Sequence, residues 1–163
     1  MSNKLDCDGK CSFLSFRLDK SVFAVSVKKV LEVLEKQDIT LVPNAPDYIS
    51  GVLNYRGEIL TIIDLRKKFH FSKYSDDKFV IIVIEILLGE MKILTGAIAD
   101  AVVDVVSFES KNIKEVPEMG SHFNTDFIIG MFKQNEEIVT ILDIDKVFEK
   151  HEIEIVNAIQ ENM

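Results

Sequence analysis

Apolar and polar residues alternate through Leu14-Ser15-Phe16-Arg17-Leu18, and beyond the turn-like Asp19-Lys20 the residues Phe23, Val25 and Val27 share one face. A period of two marks a half-buried strand, so this stretch predicts two strands joined by a turn. The next segment, Lys28 to Glu35, fits two periods at once. Val30, Leu31, Val33 and Leu34 suit a short helix, yet its β-branched residues suit a strand. A helical turn running into a strand satisfies both.

Pro43 and Pro46 punctuate a loop, and two further strands follow, Ile49 to Tyr55 and Glu58 to Leu65, joined across Arg56-Gly57. Asp64 then opens "DLRKKF", which reads as a short helix with an acidic N-cap. Ser72 to Lys78 is polar and reads as a linker. After it the pattern restarts, with strands over Phe79 to Leu88 and Ile93 to Ala99 and then "DAVVDVVSF", "FIIGMF" and "EIVTILDI". At the C-terminal end Phe148, Ile155, Val156 and Ile159 stand at helical spacing, which predicts an amphipathic helix.

The restart is a repeat. Shifting the chain by 79 residues lays Tyr48–Phe69 over Phe127–Phe148, with 9 of 22 positions identical, among them Gly51/Gly130, Thr61/Thr140 and Asp64/Asp143. Upstream the match loosens, with Val30 near Val102 and Pro43 near Pro117. The expected fold is therefore mainly all-β: two pseudo-symmetric five-stranded barrels with short helices between them. A unit this small has a marginal core, and closing its sheet into a barrel removes open edges. The two barrels would bury apolar surface against each other along a seam.

The repeat also separates shared features from unshared ones. Asp64 and Asp143 stand where a helix cap is needed, so capping explains them better than paired catalytic carboxylates do. Gly51 and Gly130 point to a shared backbone or packing need. Asn54, Arg56 and Gly57, by contrast, face Lys133, Asn135 and Glu136. That turn is either an ordinary hairpin tip with its Arg in solvent or a site peculiar to the first copy.

Composition narrows the function. A net charge of −8 disfavours nucleic acid and anionic membrane surfaces as partners. The short basic run Arg66-Lys67-Lys68 reads as a solvated helix face. No apolar run reaches the roughly 20 residues of a membrane span, and Met1 to Lys10 is polar, so a soluble cytoplasmic protein is expected. His70, His122 and His151 each stand alone, and no phosphate-binding or zinc-protease motif is present. Cys7 and Cys11 form a C-x3-C pair, a weak metal signal whose blander reading is two free thiols on a frayed terminus. What remains is a non-catalytic interaction module without cofactor or metal. Its candidate surfaces are the seam and the Arg56 turn, a setting suited to an amphipathic partner helix oriented by an Arg.

Three stretches, "FRLDKSVFAVSVKKVLEVL", "VPNAPDYISGVLNYRGEILTIIDLRKKF" and "GAIADAVVDVVSF", together resemble the CheW family of bacterial chemotaxis coupling proteins from about Phe13 to Phe148. The most specific part is "ISGVLNYRGEILTIIDLR", which is similar to the family's G-V-x-N-x-R-G-x-x-x-P-x-x-D-L-R stretch. The resemblance implies a single domain over 12–148 built of two intertwined SH3-like subdomains, about 12–72 and 79–148, with 149–163 as a C-terminal helix. It also implies a scaffold that bridges the cytoplasmic tip of methyl-accepting chemoreceptors to the regulatory domain of the histidine kinase CheA, recruited to receptor arrays without inserting in the membrane. By the same resemblance Asn54 and Arg56 match the N-x-R-G turn, Val30 and Glu32 match receptor-coupling positions, and Gly51 matches a family glycine whose replacement disturbs that surface. Val102 and Val105 occupy the equivalent segment of the second half and complete the candidate partner-binding set.

Two positions depart from the family: Thr61 where Pro is frequent, which is expected to change only a strand, and Tyr55 where Leu is usual, beside Arg56. Two other functions stay open. The same module could scaffold another signalling or surface-motility kinase, or the cysteines could make it a small metal or redox protein.

Overall fold

The computed structural model describes residues 9–75, 77–115 and 126–162, so the expectations about Cys7, Pro117 and His122 fall outside the described residues. The first half of the chain forms β1 (Lys10–Leu18), β2 (Ser21–Ser26), β3 (Val30–Glu35), β4 (Ile49–Tyr55), β5 (Glu58–Asp64) and the short helix α1 (Leu65–Lys68). The second half forms β6 (Val80–Leu88), β7 (Met91–Ala99), β8 (Ala101–Glu109), β9 (Ile128–Gln134), β10 (Glu137–Leu142), α2 (Ile144–Val147) and the terminal helix α3 (Lys150–Glu161). The ambiguous Lys28–Glu35 segment resolves as a 3-10 turn over Val27–Lys29 that runs into β3.

The ten strands form two five-stranded sheets, ordered β8-β1-β2-β10-β9 and β3-β6-β7-β5-β4. Each order becomes the other when every strand is exchanged for the one five places away in the chain. Each sheet also takes strands from both halves, so the repeat is interleaved. In each, a parallel pairing closes the exchange: β10 with β2 and β5 with β7. The sheets curl, but among the described residues they do not close through a hydrogen-bonded ladder; β3 and β4 remain opposite edges of one, β8 and β9 of the other. The expected edge-free barrels are thus left open.

β6 shows why the sequence insists on this arrangement. Its run of branched aliphatics points Ile82, Ile84 and Ile86 to one side and Ile81 and Val83 to the other, all at most 1% exposed. A strand buried on both faces has no polar side to alternate with. One side joins a central cluster that unites both sheets, through Leu14, Phe16 and Val25 from one and Ile63, Ile82 and Ala97 from the other. The other side fills the interior of its own sheet with Leu53, Leu60 and Ile62. Phe13, Val22, Phe132 and Ile141 fill the opposite sheet in the same way. Truncating one of these isoleucines to Ala would cost about 2–5 kcal/mol.

Asp64 and Asp143 cap their helices as expected, accepting from Arg66 N and Asp145 N. Gly51 and Gly130 also share a need. A Cβ on Gly51 would lie 2.1 Å from the Thr40 carbonyl oxygen, and one on Gly130 would lie 2.7 Å from that of Lys114. At both sites a returning segment makes an isolated bridge to the strand, Thr40 to Val52 and Lys114 to Met131.

The terminal helix buries Ile153 and Val156 in the central cluster. Its last turns reveal a role for Thr61 that strand periodicity could not show. Thr61 N donates to Gln160 Oε1 at 2.8 Å, and Thr61 Oγ1 donates to the Val156 carbonyl at 3.2 Å. A proline there has neither donor, so this departure fastens α3 to β5 rather than merely altering a strand.

Candidate partner-binding surface

The β4–β5 hairpin turns on two residues, and both have positive φ: Arg56 at 53° and Gly57 at 85°. Asn54 stabilises the turn by accepting from Gly57 N through Oδ1 at 3.0 Å. Positive φ at both central positions defines the type I′ turn, whose twist matches that of the strands it joins. Arg in the first of these positions is unusual, since a left-handed non-glycine residue carries a cost of order 1 kcal/mol.

The side chain explains the residue. Arg56 Nη2 donates to Glu32 Oε2, while its guanidinium lies 5.1 Å from the centre of the Tyr55 ring. The same Glu32 oxygen accepts from Tyr55 Oη at 2.7 Å. Glu32 lies on β3 and Tyr55 on β4, the two edges of one sheet. Glu32 therefore bridges the gap that the backbone leaves open. Burial, followed by the hydrogen bond to Glu32, raises the Tyr55 phenol above its ordinary pKa of 10.0. The Arg56 side chain is still 72% exposed, so the pair adds only about 0–1 kcal/mol of stability and the guanidinium faces solvent.

Of the candidate residues, Glu32, Asn54 and Arg56 thus converge at one hairpin, with Tyr55 as a further member that the sequence flagged only as a departure. Gly51 lies apart from this surface, buried beneath Thr40. Val30 and Val102 are half-buried and both pack on the central cluster, one at the start of β3 and one at the start of β8. Val105 is exposed on β8. Neighbouring positions missed on the sequence share its exposure: Leu31 and Val33 on β3 and Val103 on β8. Exposed aliphatics thus stand on β3 and on β8, an edge strand of each sheet.

Two expectations need correction. Arg66 is 1% exposed, not solvated. Its Nε and Nη2 donate to both Asp64 oxygens at 2.9 and 3.0 Å, and its Nη1 donates to the Ser75 carbonyl and to Asp100 Oδ1. Burial works against its charge, but the hydrogen bonds it donates to Asp64 and Asp100 outweigh it and hold its pKa above the ordinary arginine value. Those contacts also pin Tyr74 and Ser75, inside the segment read as a plain linker. Cys11, second, is neither frayed nor a free thiol: it is buried in β1 and disulfide-bonded.

Among the described residues no group of three or more His, Cys, Asp or Glu side chains is placed to hold a metal ion. His70 and His151 are exposed. A cleft of about 410 Å³ between the start of β1, the 3-10 turn and α2 contains none of the candidate residues. No described helix is long and apolar enough to cross a membrane.

The fold and the hairpin can now be set beside known proteins. The family model of the CheW-like domain matches residues 12–152. The chemotaxis protein CheW of Klebsiella aerogenes is 31% identical over 147 residues, covering 90% of this chain and 87% of that protein. The chemotaxis protein CheW of Bacillus subtilis is 32% identical over 138 residues, covering 83% and 85%. The crystal structure of the scaffolding protein TtCheW from Thermoanaerobacter tengcongensis superposes with a TM-score of 0.74 at 28% identity, over 88% of this chain and 91% of that one. On the match over residues 12–152 and on the shared architecture, this chain belongs to the CheW-like family.

Proposed function

We propose that this protein is a non-catalytic adaptor in chemotaxis signalling that couples the cytoplasmic tips of methyl-accepting chemoreceptors to the regulatory domain of the histidine kinase CheA. The observation that carries this reading is the Glu32–Tyr55–Arg56 cluster, which holds a largely exposed guanidinium beside β3. Leu31 and Val33 on β3 and Val103 and Val105 on β8 supply the apolar surface that a helical partner needs. Arg56 supplies a directional contact to a carboxylate or carbonyl on that partner. The adaptor works in the cytoplasm and is drawn to receptor arrays through these contacts, without inserting in the membrane.

Titration with a helical hairpin representing the receptor tip tests the reading. Arg56→Ala is expected to leave the fold intact and weaken binding by about 1–3 kcal/mol. An unchanged dissociation constant would remove Arg56 from the interface.

A further inference from the structure

The chain crosses between its two sheets at two places, and each crossover delivers an edge strand. The second is a single residue: β7 ends at Ala99 in one sheet, β8 begins at Ala101 in the other, and Asp100 is the whole link. Its groups are divided between the sheets. On one side Asp100 N donates to the Arg17 carbonyl at 2.9 Å, and Oδ2 accepts from Asp19 N at 2.6 Å. On the other, Oδ1 accepts from Arg66 Nη1 at 3.1 Å. Arg66 cannot swing, because Asp64 and the Ser75 carbonyl hold the rest of its fork. It therefore fixes the carboxylate from which β8 departs.

The first crossover, between β2 and β3, runs through the 3-10 turn Val27–Lys29. There Lys29 Nζ meets Asp145 Oδ2 at 2.7 Å, and both side chains are about three-quarters buried, 23% and 25% exposed. The repeat shift of 79 residues carries Arg66 onto Asp145. Each is the second residue of its short helix, α1 or α2. Equivalent helix positions thus carry opposite charges, in the ion pairs Arg66–Asp100 and Asp145–Lys29, and the partners stand one position apart in the repeat, since the offset that lays Val30 on Val102 lays Lys28 on Asp100. Each edge strand starts on the residue after its clasped one, β3 at Val30 and β8 at Ala101.

We propose that these two ion pairs clasp the crossovers and together set the spacing between the edge strands β3 and β8, which makes Asp100 and Lys29 positioning residues for the partner-binding surface. An edge strand is held by a ladder on one side only, β3 by β6 and β8 by β1, and both ladders shift register, between Val30 and Glu32 and between Ser15 and Phe16. The clasp at the start of each strand supplies the restraint that the ladder lacks. The spacing is a property of the protein alone. Only its consequence for binding rests on the adaptor reading.

Pulsed spin-label distance measurement tests the spacing. Labels are introduced through genetically encoded keto amino acids at Leu31 and Val103, leaving the cysteines untouched, with a within-sheet pair at Leu31 and Met91 as control. Asp100→Asn and Lys29→Asp are each expected to broaden the Leu31–Val103 distribution about twofold and leave the Leu31–Met91 distribution unchanged. Lys29→Arg, which keeps a cation beside Asp145 and leaves Asp145 Oδ1 to accept from Leu87 N, is expected to retain the original width. Unchanged widths in both single variants, equal broadening of the control pair, or the same broadening in Lys29→Arg would overturn the clasps. Unlabelled Asp100→Asn is expected to bind the receptor-tip hairpin about tenfold more weakly, in proportion to its smaller competent population. Broadened spacing with unchanged affinity, where Arg56→Ala does weaken binding, would overturn the positioning role. If the wild-type chain binds no receptor tip, the adaptor reading falls and the clasps are judged by the distances alone.

Discussion

The two hairpins β4–β5 and β9–β10 are one backbone carrying two chemistries. Both are two-residue turns with positive φ at each central residue, Arg56 and Gly57 in one, Asn135 and Glu136 in the other. The backbone requirement that looked unshared is therefore shared, and only the side chains differ. The second turn uses Asn135, a residue tolerant of the left-handed region, at its first central position. The first places Arg there and uses the side chain to reach Glu32 on the opposite edge. At the position matching Glu32 in the second half, Asp104 instead accepts from its own neighbour, Val105 N. The second hairpin has its own ion pair one residue past the turn, where Arg17 on β1 donates twice to Glu137 at 2.8 and 3.1 Å. That pair joins strands separated only by β2, while the first spans the open gap between the edges of its sheet and leaves its cation exposed.

The largest expected effect lies under the hairpins. Gly51 has φ +143° and a Cβ there would overlap the Thr40 carbonyl at 2.1 Å, so Gly51→Ala should cost about 3 kcal/mol in urea unfolding. Gly130→Ala meets looser neighbours at 2.7 Å and should cost less, about 1–2 kcal/mol. Equal costs would mean that the two bridged strands are equivalent after all.

Exchanging the turns is the next step down. Arg56→Asn with Gly57→Glu keeps the type I′ geometry, and a Cβ on Gly57 meets nothing within 4 Å, so the stability loss should stay near 1 kcal/mol. Receptor-tip binding should weaken as in Arg56→Ala. The reverse exchange, Asn135→Arg with Glu136→Gly, should gain no such binding, because Asp104, at the position matching Glu32, accepts from its own neighbour Val105 N. Acquired binding by the second hairpin would erase the distinction between them.

The smallest effect is one of pH. The hydrogen bonds from Arg17 hold the Glu137 carboxyl below its ordinary 4.5. A carboxyl depressed in the folded state lends stability above its ordinary value and loses it as pH falls through the folded one. Glu137→Gln should therefore show a smaller fall in urea midpoint between pH 7 and pH 3 than the parent chain. An equal fall would show that this pair plays no part in acid stability.

The apolar periodicity and the repeat made the strands, the short capped helices and the terminal helix legible, since burial imposes spacing that one sequence records directly. The seven candidate residues came from matching a motif, and what was legible in them was the turn. Tyr55 and Thr61 stood out only as departures, and their partners Glu32, Gln160 and Val156 lie 23 to 99 residues away. The burial of Arg66 is not legible, because a charged run on a short helix looks solvated until the segments that bury it are in place.

By itself the sequence determined that the chain is doubled, that its strands carry a buried face, and that one turn of the pair carries an Arg-Gly its partner lacks. Which strands share a sheet, and so which edges stay open, was decided by tertiary structure. Periodicity says that a residue faces a core but not which core, and charges far apart in the chain become partners only after the crossovers bring them within a few ångströms. The "NYRG" turn belongs to both accounts. Its chemistry was written in the sequence, and its orientation toward Glu32 came from the curl of the sheet.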